Sequence, residues 1–275
     1  MSNSSLLKLT SACLSALALL TPAASAQVLT NDMSEVVTVD ILPGWLDANG
    51  IHYAGLKFTM APEWKTYWRA PGDGGLPTLL EWDESENLDD VKMLWPTPQV
   101  FRQHGLRSIG YDTDFILPLA LKPEGDGPIE LDGLLRFGLC KEICLPVSID
   151  LQATLQSDQK EYVSEVSQAL ANRPMTAALA QVKRADCSVD YLEGRAEIRV
   201  QLDMPAFDGK NEALVIEAAN KDLWISEPKV ARDGNILSST AEVLTHDATP
   251  FELDLTQLRM TVITTQNAVD IFGCD

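Results

Sequence analysis

Hydrophobic and polar positions alternate with a period of two along most of this chain. From His52 to Met60 the even positions are Ala54, Leu56, Phe58 and Met60, with Lys57 and Thr59 among the odd ones. That spacing predicts a half-buried strand. Thr78 to Trp82, Val91 to Trp95 and Phe115 to Leu121 read as further short strands, set apart by Pro- and Gly-rich turns such as WKTYWRAPGDGGLP. Two longer runs alternate most clearly: Ile129, Leu131, Gly133, Leu135, Phe137 and Leu139 share one face, as do Val147, Ile149, Leu151, Ala153 and Leu155. CKEIC lies between them, so the pair has the layout of a β-hairpin. Many short strands joined by turns predict an all-β chain built as a sandwich.

The period changes once. Tyr162, Val163, Val166, Ala169 and Leu170 fall on one helical face, Asp158 and Glu161 have capping-box spacing, and Pro174 follows. The pattern predicts a helix between two domains. Strand periodicity returns at Ala196 to Leu202, Ala213 to Ala218, Ile236 to Leu244 and Leu258 to Thr264. The expected organisation is a β-sandwich over 27–156, a helical linker over 157–184 and a second, smaller β-domain over 185–275.

The first 26 residues differ from the rest. Lys8 is their one charged residue, the stretch from Leu14 to Leu20 is apolar, and Ala24-Ser25-Ala26 offers an A-x-A cleavage site. This reads as a secretory signal, since spanning a bilayer takes about 20 apolar residues. No later run has that length, so the expected product is a periplasmic chain without membrane insertion. The full sequence of 275 residues is 45% hydrophobic and carries a net charge of −19. That charge argues against nucleic acid and anionic membranes as partners.

Four cysteines follow the signal: Cys140, Cys144, Cys187 and Cys274. An even number in an oxidising compartment suggests two disulfides, and proximity pairs Cys140 with Cys144 and Cys187 with Cys274. On one straight strand Cys140 and Cys144 would stand about 13 Å apart, too far to bond. A turn through Lys141, Glu142 and Ile143 brings them opposite one another, at about 4.5–5.5 Å. In the chain-entropy model so short a loop gains about 2 kcal/mol, whereas the Cys187–Cys274 loop gains about 4.5 kcal/mol. Cys187–Cys274 therefore reads as a structural tie. For Cys140 and Cys144 three chemistries stay open: a redox pair, a structural bond, or a Cu(I) site with a third ligand from His52, His104 or His246. Lys141 favours a nearby thiolate and Glu142 opposes it. Trp45, Trp64, Trp68, Trp82 and Trp95 cluster in the first domain and read as anchors of its core and edges.

WKTYWRAPGDGGLP, WPTPQVF, SIGYDTDFILPLAL and LCKEICLPV follow one another in an order and spacing that resembles a known family. The resemblance is to the N-terminal periplasmic domain of the thiol:disulfide interchange protein DsbD, and more closely to the related domain of the copper-tolerance reductase ScsB. It covers Val36 to Leu155 well and the second domain loosely. It implies an immunoglobulin-like sandwich whose cysteine pair cycles between dithiol and disulfide with no cofactor. Cys140 and Cys144 match the family's active cysteines, Pro146 matches the proline after the second, and the short CxxxC spacing points to the ScsB branch. By family position Cys144 is the partner-bonding cysteine. The place of the DsbD cap loop falls on FRQHGL, Phe101 to Leu106, so Phe101 and His104 are candidate covers for the sulfurs, although the cap's acidic and aromatic residues are not reproduced. The implied partners are a membrane-embedded thiol reductase, which this sequence does not itself contain, and periplasmic thioredoxin-like proteins.

Overall fold

The computed structural model describes residues 33–103, 105–245 and 249–275. The expected signal segment, His104 and His246 lie outside them. The first sandwich is built from β1 (Val37–Leu46), β2 (His52–Met60), β3 (Lys65–Tyr67), β4 (Leu79–Glu81), β5 (Asp90–Met93), β6 (Gln99–Gln103), β7 (Leu106–Tyr111), β8 (Phe115–Lys122), β9 (Ile129–Cys140), β10 (Cys144–Leu155) and β11 (Lys160–Glu161). One sheet runs β11-β1-β2-β8-β5; the other runs β10-β9-β3-β7-β6, with β4 also on β9. The alternating positions do what their period dictates. Leu56, Phe58, Leu117, Leu119, Leu121, Leu135, Phe137 and Leu139 meet in one core, capped by Trp68 and Trp95. Phe58 stacks on Phe115 at 4.6 Å, Phe115 on Tyr111 at 3.9 Å, and Phe137 meets Phe58 edge-on at 5.4 Å. Each such pair adds about 0.5–1.5 kcal/mol beyond its buried area.

The helix differs from the sequence expectation. It is α1 (Val163–Ala171), shorter than the predicted span, and no side chain caps it. The Asp158–Glu161 capping box does not form, because Lys160 and Glu161 extend the sheet as β11, opposite Trp45 and Gly44. Tyr162 then turns the chain with φ 56° and is exposed instead of lying on the buried face. Val166 and Ala169 are the buried positions. They lie against the first sandwich, where Gly55 leaves the space: a Cβ there would stand 3.2 Å from Val166 Cγ2.

The second sandwich contains β12 (Met175–Thr176), β13 (Arg184–Leu192), β14 (Arg195–Asp203), β15 (Ala213–Glu217), β16 (Leu223–Ile225), β17 (Lys229–Asp233), β18 (Ile236–Thr245), β19 (Arg259–Ile263) and β20 (Ala268–Phe272). Its sheets run β12-β20-β19-β15 and β13-β14-β18-β16, with β17 also on β18. Ile198, Leu202, Met204, Leu214, Leu258, Met260, Val262 and Val269 fill the space between them. Val215, Ile263 and Ala268 instead join the first core, so the two sandwiches share a packed junction. Strand β13 carries Cys187, bonded to Cys274 just past β20, with 5.7 Å between their α-carbons. Asp275 N–H donates to the Ala185 carbonyl at 2.8 Å, and Ala185 N–H to the Asp275 carboxylate at 2.9 Å. The bond therefore ties one sheet of this sandwich to the other at the chain's end.

Replacing Cys187 and Cys274 with alanine should lower unfolding free energy by about 2–5 kcal/mol. Removing the Cys140–Cys144 bond as a serine pair should cost less, at most about 2 kcal/mol. Urea unfolding of oxidised protein measures both, and the reverse order would contradict this assignment.

Candidate functional site

Strands β9 and β10 pair without interruption from Cys140–Cys144 at the tip to Ile129–Leu155 at the base. The alternation sends Leu135, Phe137 and Leu139 into the core. Their neighbours Arg136, Gly138 and Cys140 face the other way. Pro146, opposite Gly138, fixes the kind of pairing here. Proline has no N–H to give the ladder, so its nitrogen must face the open edge that β10 forms. Pro146–Gly138 is then a non-hydrogen-bonded pair, and so is Cys144–Cys140 two positions away. Opposed α-carbons come closest in such pairs. Those of Cys140 and Cys144 stand 4.1 Å apart, and their sulfurs form a disulfide.

A roof covers the pair from the sheet's outer face. Strand β3 pairs with β9, placing Lys65 beside Cys140 and Thr66 beside Leu139. Thr66 Oγ1 donates to the Gly138 carbonyl at 2.8 Å. Tyr67 thus comes to lie over Gly138. A Cβ at 138 would stand 2.7 Å from Tyr67 Cδ2 and Cε2 and from Leu76 Cβ, so the glycine makes the seat for the ring. The Tyr67 hydroxyl reaches Cys140 Sγ at 2.9 Å, Cys144 Sγ at 3.1 Å and the Gly74 carbonyl at 3.2 Å. The Pro71–Pro77 loop folds over the ring; at Gly75 a Cβ would meet Pro71 Cβ at 2.4 Å and Tyr67 Cδ1 at 2.8 Å.

The two cysteines are unequal in exposure. Cys140 is 3% exposed, whereas Cys144 is an exposed residue beside Ile143, itself 72% exposed at the hairpin tip. Burial pushes the Tyr67 phenol above its ordinary pKa, so the hydroxyl stays a neutral donor. It has one proton, and a thiolate formed on reduction is a stronger acceptor than the Gly74 carbonyl. Of the two charges expected near the pair, Lys141 is engaged. Lys141 Nζ binds the Glu63 carboxylate at 2.7 Å, which holds Glu63 below its usual pKa. Lys65 Nζ lies 5.3 Å from the Phe101 ring centre.

Cys140 and Cys144 are thus brought together, and so are Cys187 and Cys274. Phe101 reaches Lys65, and its cap partner His104 lies outside the described residues. His52 sits 1% exposed in the other sheet of the sandwich, 2.7 Å from the Pro43 carbonyl, and its burial lowers its pKa. Among the described residues no group of three His, Cys, Asp or Glu side chains is arranged to hold a metal. Tyr67 and Gly138 were missed by sequence reasoning. A signal existed: Gly138 is the residue two before Cys140, on the cysteine's own face of the strand.

Gly138→Ala should displace Tyr67 and leave the core alternation intact. The expected result is at least about a tenfold faster reduction of Cys140–Cys144 by dithiothreitol, with stability lowered by about 1–3 kcal/mol for the overpacked site. Timed alkylation with mass detection reads the first and urea unfolding the second; an unchanged reduction rate would contradict the roof.

Residues 37–156 match the family model described as thiol:disulfide interchange protein DsbD, N-terminal. No curated protein sequence matches the chain. Among solved structures, the N-terminal periplasmic domain of ScsB from Proteus mirabilis superposes with a TM-score of 0.66 at 23% identity, covering 90% of this chain and 97% of that one. Both sandwiches of the chain therefore have a counterpart in one fold, and the first of them, residues 37–156, is the part that matches the DsbD N-terminal family model.

Proposed function

We propose that this chain is a periplasmic thiol:disulfide exchange protein, exported by its first 26 residues, that carries electrons between a membrane-embedded thiol reductase and thioredoxin-like partners. The observation that carries this reading is the unequal exposure of the two cysteines: Cys144 is an exposed residue on an edge strand and Cys140 is buried under Tyr67. In the charging half, a donor thiolate attacks Cys144 Sγ. The Cys140–Cys144 bond breaks and Cys140 leaves as a thiolate, stabilised by the Tyr67 hydroxyl. The donor's second thiolate then attacks its own sulfur in the mixed disulfide and releases the Cys144 thiolate. Two electrons have moved, and the donor is left as a disulfide. In the discharging half, Cys144 attacks a partner disulfide, and Cys140 resolves the mixed disulfide and restores the bond. No cofactor enters. The DsbD N-terminal match and the likeness to a ScsB periplasmic domain support this class of chemistry.

Single-cysteine variants test the assignment. Cys140→Ser leaves Cys144 accessible and should form a stable mixed disulfide with a thioredoxin-like partner lacking its own resolving cysteine. Cys144→Ser should trap at least about tenfold less, because thiol exchange requires access. Equal trapping by the two would remove the assigned roles. A reduction potential below about −300 mV with no exchange would make the bond a structural tie. Tyr67→Phe should lower the reduced pair's thiolate population: loss of one charge-assisted hydrogen bond, about 1.5–3 kcal/mol, raises the nucleophile's pKa by about 1–2. Alkylation rate against pH reads that shift.

A further inference from the structure

The roof over the sulfurs and the second sandwich are joined by a short piece of chain. Two residues after Tyr67, Arg69 leaves the first sandwich and enters the second. Its side chain is 10% exposed. Nε donates to both Glu217 carboxylate oxygens at 3.2 and 3.1 Å; Nη2 donates to Thr261 Oγ1 at 2.9 Å and lies 3.2 Å from Asp270 Oδ1. The guanidinium also lies 3.6 Å from the centre of the Trp68 ring, so packing and charge fix it together. Arg107 does the same on the other side of the loop. Its Nη1 donates to the Leu214 carbonyl of β15 at 3.0 Å, its Nε faces Glu227 at 3.8 Å, and its own carbonyl accepts the Gly74 N–H at 3.2 Å. Gly72 lies so close that a Cβ there would stand 2.8 Å from the Arg107 oxygen. The Pro71 carbonyl accepts the Ile109 N–H at 2.9 Å. The loop that holds Tyr67 therefore rests on two arginines anchored in the second sandwich. Behind it, a cleft of about 390 Å³, lined by Arg69, Pro71, Gly72, Arg107, Glu217 and Trp224, leaves room for it to move back.

We propose that Arg69 is a positioning residue for the cysteine pair: anchored on Glu217 and Asp270, it holds the 71–77 loop and Tyr67 down on the sulfurs, so the second sandwich sets how fast a thiolate reaches the Cys140–Cys144 bond. This rests on the exchange function proposed above. Arg69 touches neither sulfur. It acts through the chain between Tyr67 and Gly74, so its effect on the balance of oxidised and reduced forms is limited to what the Tyr67 hydroxyl contributes.

The test uses the full mature chain and dithiothreitol as reductant, so it needs no partner protein. Arg69→Met/Glu217→Gln removes the ion pair without stranding Glu217, and Glu217→Gln alone is the milder variant. Both should speed reduction of Cys140–Cys144, the double variant at least about tenfold and the single one about threefold. The ratio of reduced to oxidised protein in a dithiothreitol redox buffer should shift no further from the parent than it does in Tyr67→Phe. Arg69→Lys, which keeps the charge but not the forked donors, should fall between parent and double variant. Amide exchange at residues 72–76 should accelerate while β14 and β18 keep their protection. A parental reduction rate in Glu217→Gln and in whichever other variants fold would overturn the proposal, as would a shift in the redox ratio larger than that of Tyr67→Phe. Parental trapping by Cys140→Ser alongside such a result would leave the exchange function standing and remove the clamp alone.

Discussion

The register of the β9–β10 hairpin is the constraint on which the site depends. Its twelve pairs descend from the cysteines to Ile129 and Leu155 with no bulge. Side chains alternate strictly along a strand, so one choice of register settles two matters at once. It sends Leu135, Phe137, Leu139, Val147 and Leu151 into the core and leaves Cys140 and Gly138 on the outer face. A slip of one residue would bury the sulfurs and expose the leucines. The apolar face of the hairpin thus holds the cysteines opposite one another, and the short bond between them need not supply that order.

The roof extends the same logic across the sheet. Strand β3 is only Lys65–Tyr67, yet it pairs with both β9 and β7, so Tyr67 is delivered over Gly138 by backbone pairing on two sides. The loop after it carries little apolar burial of its own. It is held by carbonyl and amide contacts and by the arginines that reach into the second sandwich. A disulfide at the tip of a hairpin is easily reached. Here one cysteine is exposed and the other is buried, and the cover over it is assembled from segments far apart in the chain.

Much of the scaffold was legible because period two is a strong signal where one strand face is buried. β2, β8, β9, β14 and β18 lie within a residue or two of the alternating runs that predict them. Strand β10 begins earlier than its apolar run, because Cys144 and Pro146 are paired although they add nothing to the core. The hairpin of β6 and β7 and the edge strand β13 were missed: RADCSVDYL alternates weakly, since an edge strand over a thin part of the core has little to bury. The helix start failed for a related reason. Asp158 and Glu161 have a capping spacing, but two more backbone pairs with β1 won the segment for the sheet. At the site, the cysteine pairing could be read from spacing alone. Tyr67 could not, because its place over Gly138 is set by strand order, and strand order is a long-range property.

Pro146 has an effect beyond the bond it helps to align. An edge strand normally offers a neighbour a continuous row of amides and carbonyls, and that row invites unwanted pairing between molecules. In β10 the outward row is broken two residues after Cys144, where the ring replaces a donor. A visiting strand can match the backbone at the cysteine but loses a hydrogen bond immediately beyond it. The edge therefore offers a short visiting strand its backbone at the cysteine and offers a long one a gap.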